Sequence, residues 1–177
     1  NGSPIATQHT YSYYSDYKTI VKKESTTTSD GNTTITDYLY PFDFNDSVMK
    51  RMTALNMISS PVKTVKSRNG SVIMENVDTY ALFGSTSVPR INKQSYKTSS
   101  DGEMITVQTI LAYDTNGNPQ WINSQGLDIV YIWGYGGQYP IAEIKNATLA
   151  VVNAALGYHS DILSLPFVCS RISSSTS

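Results

Sequence analysis

The histidines and acidic residues are side chains of this sequence that could act as acids or bases in catalysis. His159, Ser160 and Asp161 put a base, a hydroxyl and a carboxylate side by side. A catalytic triad is defined by its geometry in space, and adjacent residues in a chain rarely face one another productively. No GxSxG or HExxH motif accompanies them. We therefore interpret this segment as a polar loop.

Paired carboxylates are the other route to catalysis. Glycoside hydrolysis needs two carboxyl groups about 5–10 Å apart, with aromatic side chains nearby to hold the sugar. Asp128 or Glu143, near Trp133 in the sequence, could qualify, but the acidic residues are spread over many predicted strands and nothing in the sequence shows that they converge. A glycan-active enzyme is the weakest of three hypotheses, and we predict no enzyme and no catalytic residue.

Metal binding has one candidate, the segment DTNGN at 114–118. It carries oxygen ligands at its first, third and fifth positions, as a calcium loop does, but lacks the later acidic ligand. The single cysteine, Cys169, excludes a disulfide within the chain and a cysteine-based zinc site. We expect a hairpin turn at 114–118, and we predict no metal and no cofactor.

Aromatic side chains offer another kind of chemistry, the stacking of rings on sugars. Four of them lie close together in the sequence: Trp121, Trp133, Tyr135 and Tyr139. A carbohydrate-binding module would need at least two of these rings exposed and nearly coplanar, whereas burial of all four would exclude it. Glycan binding by these residues is our alternative hypothesis.

The elements that position these residues are predicted to be β strands. Apolar and polar residues alternate along most of the chain, with turn signals at 30–31, 69–70, 101–102, 116–119 and 125–126. The Asp-Gly pair at 30–31 predicts a type I′ turn, in which both central residues have positive φ. The spacing of the turns predicts an antiparallel meander of long hairpins, because no helix-length segment separates successive strands.

Two segments depart from the alternation and predict short helices. The first lies near 46–58, where apolar residues follow a helical period and Asn45 or Asp46 can serve as the N-cap. The second lies near 147–156, with Asn146 as the expected cap. The predicted class is therefore mainly β with two short helices.

Size and charge restrict the remaining functions. The chain has 177 residues, a net charge of −1 and only 15% charged residues. Such a chain has no basic patch for nucleic acid or an anionic membrane, and no apolar run approaches the roughly 18 residues of a membrane helix. We predict one antiparallel β domain over residues 1–157, followed by a partly irregular tail over 158–177.

The segment YDTNGNPQWINSQGLDIVYIWGYGG, residues 113–137, resembles a unit of the YD/RHS-repeat family. Units of that family run from Tyr-Asp through a Gly-Asn or Gly-Arg pair to a strand, a turn glycine and a second strand that ends in alternating aromatic residues. The residues that carry the resemblance are Tyr113, Asp114, Gly117, Asn118, Gly126, Tyr131, Trp133 and Tyr135.

The wider run to residue 148 is similar to the terminal segment of large YD-repeat surface proteins of Gram-negative gut bacteria. The resemblance extends more loosely over residues 10–150. It departs from ordinary RHS shells, because the repeat occurs once and a helix interrupts the strands. The Asp-Pro cleavage site and the toxic tail of RHS toxins are absent from this sequence, so the resemblance does not imply toxin activity.

Within this motif the aromatic residues have a structural interpretation. Tyr131, Trp133 and Tyr135 are spaced at i, i+2 and i+4, which places them on one face of a strand. We expect a closing hairpin whose aromatic face seals the sheet against the following helix. Three glycines leave room for neighbouring rings or backbone: Gly134, Gly136 and Gly137.

These observations together predict a non-enzymatic structural or adhesive module of a secreted or outer-membrane-associated bacterial surface protein. The expected partners are adjacent β-repeat segments of a longer chain or a second copy of this one, and glycans under the alternative hypothesis. Because sheet edges must be paired or protected, we expect the isolated chain to oligomerise or to cover its edge with a helix.

Overall fold

A computed structural model describes residues 6–157. Ten antiparallel strands follow in chain order, with two short helices, which confirms the predicted mainly β meander. The predicted tail 158–177, including His159-Ser160-Asp161 and Cys169, lies outside the described residues. The elements are β1 (Thr7–Tyr13), β2 (Val21–Thr28), β3 (Thr33–Leu39), a 3₁₀ turn (Pro41–Asp43), α1 (Ser47–Ala54), β4 (Lys63–Arg68), β5 (Ser71–Ala81), β6 (Arg90–Lys97), β7 (Ile105–Tyr113), β8 (Pro119–Ser124), β9 (Leu127–Gly134), β10 (Tyr139–Lys145) and α2 (Leu149–Ala155).

The described residues divide into two compact units. Unit 1 contains residues 6–111 and 123–125, and unit 2 contains residues 112–122 and 126–157. The prediction of one domain over residues 1–157 stays a prediction.

Turn chemistry sets the hairpin registers. At 69–70 the two φ angles are 49° and 85°, and at 125–126 they are 52° and 88°, as a type I′ turn requires. The predicted type I′ turn at 30–31 is wrong, because only Gly31 has a positive φ. Asp30 there accepts a hydrogen bond from the Asn32 backbone N–H at 3.2 Å, so a side chain supplies part of the turn.

Helix α1 begins where the sequence predicts and ends earlier. The Asp46 carboxylate accepts hydrogen bonds from two backbone N–H groups of the first turn, at 3.0 and 3.1 Å, which makes it the N-cap. The helix ends at Ala54 rather than near residue 58, because Asn56 adopts a left-handed φ of 58°. Met52 faces inward and is 3% exposed.

Helix α2 has a different cap from the predicted one. The Thr148 hydroxyl accepts a hydrogen bond from the Val151 N–H at 3.4 Å, whereas Asn146 lies before the helix with a φ of 58°. The Asn146 backbone N–H donates to the Asp128 carbonyl at 2.8 Å. This bond to β9 keeps Asn146 in a turn and leaves capping to Thr148.

Unit 1 combines a thin polar sheet with a small core. No residue of β1, β2, β3 or β4 is buried, and every residue of β1 is exposed. Side chains form hydrogen bonds across these strands: the Tyr38 hydroxyl donates to Glu24 at 3.2 Å, and the Thr27 and Thr33 hydroxyl oxygens are 3.2 Å apart. The buried apolar side chains of this unit are Tyr40, Pro41, Met52, Val62, Pro89 and Ile110. Strand pairing and side-chain pairs therefore stabilise β1–β4 more than burial does.

Unit 2 has its core between β9 and α2. Val130, Ile132 and Val152 form a buried cluster, at 0%, 7% and 4% exposure. The expectation that aromatic residues of β9 seal the sheet against the helix is therefore wrong. Alternation along β9 sends Tyr131 and Trp133 to the opposite face from Val130 and Ile132, so an aliphatic surface meets α2.

Candidate functional site

The YD-like motif begins with a closed turn between β7 and β8. The Asp114 carboxylate accepts from the Asn118 backbone N–H at 2.7 Å through Oδ1 and from the Asn118 side-chain amide at 3.0 Å through Oδ2. Gly117 has a φ of 89°, and the Asp114 N–H donates to the Asn118 carbonyl at 2.9 Å. Because both carboxylate oxygens are engaged within the turn, the segment is a hairpin turn rather than an open cation loop.

The second part of the motif is the glycine-rich turn between β9 and β10. Tyr135, Gly136 and Gly137 have consecutive positive φ angles of 53°, 69° and 83°. The Gly137 and Gln138 N–H groups both donate to the Gly134 carbonyl, at 3.0 and 3.1 Å. Because β9 ends at Gly134, Tyr135 leaves the strand. The expectation that it extends the strand's aromatic face is wrong.

Two asparagine side chains join these turns. The Asn118 amide donates to the Gly137 carbonyl at 2.7 Å, and the Asn116 amide donates to the Gly136 carbonyl at 3.2 Å. We call this arrangement the unit 2 clasp. A Cβ on Gly137 would overlap the Asn116 amide nitrogen, so glycine is required there for space as well as for conformation.

Unit 1 contains a related arrangement, the unit 1 clasp. The Asn69 amide nitrogen donates to Asn32 Oδ1 at 2.9 Å, which connects the β4–β5 turn to the β2–β3 turn. Asn69 Oδ1 in turn accepts the Thr33 backbone N–H at 2.9 Å. The Asn32 amide also donates to Asp30 at 2.8 Å. In both clasps, asparagine side chains connect two turns that lie at the same end of the strands and are separated along the chain by one other connection.

The two tryptophans of the proposed sugar site are half-buried and bonded internally. The Trp133 indole N–H donates to the Pro119 carbonyl at 2.9 Å, and the Trp121 indole N–H donates to Asp128 Oδ1 at 3.2 Å. Trp121 also packs against the buried cluster around Val130. Each indole therefore links β8 to β9, and its polar atom is already used.

The two tyrosines of the proposed sugar site lie at the surface. Tyr135 is 77% exposed and Tyr139 is 62% exposed. Their ring centroids are 6.0 Å apart with an interplanar angle of 82°, an edge-to-face pair. The four predicted residues thus separate into two exposed tyrosines and two half-buried tryptophans. The exposed pair is not coplanar.

The other motif residues occupy structural positions. Tyr113 is the last residue of β7, Gly126 lies in the β8–β9 turn, and Tyr131 is half-buried in β9. Gly134 is buried, and a Cβ there would approach Ile141 Cγ2 to 2.8 Å. The motif residues thus lie in strands and turns or pack closely against a neighbouring strand.

The carboxylates proposed for glycan hydrolysis do not converge. Glu143 lies opposite Tyr131 in the β9–β10 register and forms an ion pair with Lys145 at 3.0 Å. Asp128 shares its face of β9 with Val130, since the two residues are two positions apart. The two carboxylates therefore lie on opposite faces of this hairpin.

Sequence reasoning missed an aromatic cluster in unit 1. Tyr17 stacks on Phe42 at a centroid distance of 4.4 Å, and Tyr14 meets Phe42 edge-on at 4.9 Å. Asp43 accepts the Tyr14 hydroxyl at 2.6 Å and the Tyr40 backbone N–H at 2.8 Å. The aromatic-rich segments YSYYSDY and YPFDF were the available signal.

Burial and acidic neighbours favour the protonated form of the tyrosines in unit 1. Burial raises the pKa of the Tyr14 phenol well above its ordinary value, and the hydrogen bond to Asp43 raises it further. Burial, followed by the Glu24 hydrogen bond, raises the pKa of Tyr38. Burial also raises the pKa of Tyr40 and Tyr80. Such phenols are poor proton donors at neutral pH, which fits a structural role.

No family model matches this chain, and no curated protein matches it. Within residues 6–157, no helix has the length and apolar character needed to cross a membrane. The same residues contain no group of three or more histidine, cysteine or acidic side chains placed to hold a metal ion.

Proposed function

We propose that this protein is a non-enzymatic structural or adhesive module of a secreted or cell-surface bacterial protein, similar to the YD/RHS group. The observation that carries this proposal is the internal bonding of the motif. Asp114 and Asn118 bind each other, and Asn118 also binds Gly137. Polar groups that could hold a ligand instead fix the turns of a sheet.

The thin sheet of unit 1 supports a role in assembly. Its strands β1–β4 have no fully buried residue and β1 is wholly exposed, so they gain less from hydrophobic burial than a closed core would. Sheets of this kind gain stability when further strands or chains pair with them. The partners that fit are adjacent β-repeat segments of a longer chain or a second copy.

The experiment that tests this proposal is a measurement of mass in solution. Sedimentation equilibrium of the 177-residue chain over a wide concentration range should show reversible association. The same runs in high salt should leave the association intact, because backbone pairing rather than charge would drive it. A monomer at every concentration would contradict an assembly function.

The exposure of Tyr135 and Tyr139 supports a second candidate, glycan binding, although their edge-to-face rings do not meet the expectation of a coplanar pair. These are the two most exposed large hydrophobic side chains of the described residues, and their rings meet edge to face. A sugar ring could stack on one phenol and contact the edge of the other. The tryptophans would then support the turn rather than contact the sugar.

A glycan array with point variants tests this candidate. Tyr135→Ala and Tyr139→Ala should each weaken any glycan signal at least tenfold, whereas Tyr13→Ala should leave it unchanged. Tyr13 is the matched control, because it is also exposed, at 51%, and belongs to unit 1. A glycan signal that survives both substitutions, or no signal from the unmodified chain, would reject the candidate.

A further inference from the structure

We propose that β1 is an open sheet edge on which a second copy of this chain docks, β1 against β1, antiparallel, with Thr10 opposite Thr10. This proposal rests on the assembly function and specifies its contact surface. The expected assembly is a closed dimer in which the two β1 strands are neighbours.

The backbone of β1 has unused hydrogen-bonding groups. The Ser29 N–H donates to the Ala6 carbonyl at 2.9 Å, so residue 6 belongs to a hydrogen-bonded pair with β2. Such pairs alternate along an antiparallel ladder, and the register of β1 is regular from residue 7 to residue 12. Residues 7, 9 and 11 therefore direct their N–H and C=O groups away from β2. Among residues 6–157 no strand pairs with that side.

The edge lacks the devices that normally prevent strand addition. Its sequence, TQHTYSY, contains no proline and no charged residue. The one irregularity in its pairing lies at its end, between Ser12 and Tyr13. All seven residues are exposed. Native edge strands are usually blocked by charge, proline, bulges or a covering element, and among the described residues β1 has only the irregularity at its end.

The last strand of the meander, β10, is protected. It carries Pro140, which cannot donate to a ladder, and the charged residues Glu143 and Lys145. Its pairing is irregular between Pro140 and Ala142. Head-to-tail addition of β1 to β10 is therefore disfavoured. A symmetric pair of β1 strands instead forms a closed dimer, because both open edges are used in the one contact.

The register follows from which backbone groups face outward. With Thr10 opposite Thr10, the outward-facing His9 lies opposite the outward-facing Tyr11 of the other copy, so their backbones can exchange hydrogen bonds. Gln8 then lies opposite Ser12. If the register slipped by one residue, each outward-facing residue would lie opposite a residue whose N–H and C=O groups point toward β2. If it slipped by two residues, the strand ends would be left unpaired. Because the strand is uncharged, two copies meet without like-charge repulsion.

Disulfide trapping tests the register. In a Cys169→Ser background, Thr10→Cys should form a disulfide-linked dimer under mild oxidation, because residues opposite each other in an antiparallel pair have Cβ atoms about 4.5–5.5 Å apart. Gln8→Cys alone and Ser12→Cys alone should cross-link at least tenfold less. A mixture of the two should cross-link as a heterodimer. Equal cross-linking of all single variants would overturn the proposed register.

A pair of proline variants tests the edge without a cross-linker. His9→Pro removes an outward-facing N–H and should convert the assembly to monomer while circular dichroism shows an intact sheet. Thr10→Pro removes an N–H directed at β2 and should instead disrupt the fold. If the chain is monomeric without any substitution, the assembly function fails as well. If it assembles, and His9→Pro leaves its mass unchanged, only the β1 contact is overturned.

Discussion

In unit 1 the clasp joins two asparagine side chains, Asn32 and Asn69, whereas in unit 2 the asparagine side chains reach the main-chain carbonyls of Gly136 and Gly137. A main-chain acceptor is present whatever residue occupies the position. Its placement, however, requires a backbone that only glycine adopts readily. The hydrogen bond between Asn32 and Asn69 therefore depends on side-chain identity at both ends, whereas the unit 2 clasp depends on asparagine side chains at one end and on backbone shape at the other.

Burial separates the two clasps as well. Asn32 and Asn69 are exposed, so water can replace their mutual hydrogen bond when either is changed. Asn118 is half-buried and lies in the unit that contains the Val130 cluster. A donor or acceptor left unpaired away from water costs more free energy than one at the surface. We therefore expect the larger losses of stability in unit 2.

The strongest test of this comparison is Gly137→Ala. The substitution places a side chain at a φ of 83° and against the Asn116 amide, so it should lower the free energy of unfolding by about 2–4 kcal/mol. Gly126→Ala is the matched control, because its φ is 88° and its Cβ would meet open space. It should cost only about 1–2 kcal/mol. Equal losses in chemical denaturation would mean that the clasp contributes nothing.

Asn118→Ala should have the next largest effect. It removes the hydrogen bonds to the Gly137 carbonyl and to Asp114, at 2.7 and 3.0 Å, and should cost about 1–3 kcal/mol. Asn116→Ala removes one longer, exposed bond and should cost about 0.5–1 kcal/mol. Thermal unfolding followed by tryptophan fluorescence suits both variants, because both tryptophans lie in unit 2. The reverse order of stabilities would contradict the geometry.

Alkaline pH should act on the aromatic cluster of unit 1. The pKa of Tyr14 is higher in the folded protein than in the unfolded chain, so its stabilising contribution is complete below about pH 10 and is lost as the pH rises from there toward the folded pKa. The slope should be less than about 1.4 kcal/mol per pH unit, because the ring is partly solvated. Urea unfolding followed by circular dichroism at several pH values measures it. Tyr14→Phe should show a shallower slope, and an unchanged slope would contradict the assignment.

The smallest expected effect is that of Asn32→Ala in the unit 1 clasp. It removes the acceptor of the Asn69 amide at an exposed turn and should cost under about 1 kcal/mol. Asn32→Asp keeps the acceptor but loses the amide that donates to Asp30 at 2.8 Å and places two carboxylates together, so it should destabilise at least as much as Asn32→Ala. If Asn32→Ala destabilises as much as Asn118→Ala in chemical denaturation, burial does not distinguish the clasps.

Local features of the fold were predictable because they depend on neighbouring residues. Alternation and glycine turns predict the hairpins, and Asp46 predicts the start of α1. The same local information predicted Asn146 as the cap of α2, which is wrong. The choice of Thr148 over Asn146 depends on a bond from Asn146 to the Asp128 carbonyl in another strand. Nothing next to Asn146 in the sequence signals that bond.

The candidate site was less predictable, because its contacts are distant in sequence. The two asparagines of the unit 1 clasp are 37 positions apart. The placement of Tyr135 failed for a different reason. Alternation was extended through Gly134, but three consecutive positive φ angles begin at Tyr135 and turn it out of the strand. Aromatic spacing alone does not show where a strand ends.

The clasps also affect how the sheet comes apart. In a plain meander each strand contacts only its sequence neighbours, so hairpins could fray one at a time from an end. A clasp between alternate turns adds a second connection, and the hairpin between them cannot peel away without breaking it. The amide protons of β2 through β5 should therefore exchange with solvent as one cooperative block. When force is applied to one end of the chain, several strands should unfold together in each step, rather than one hairpin at a time.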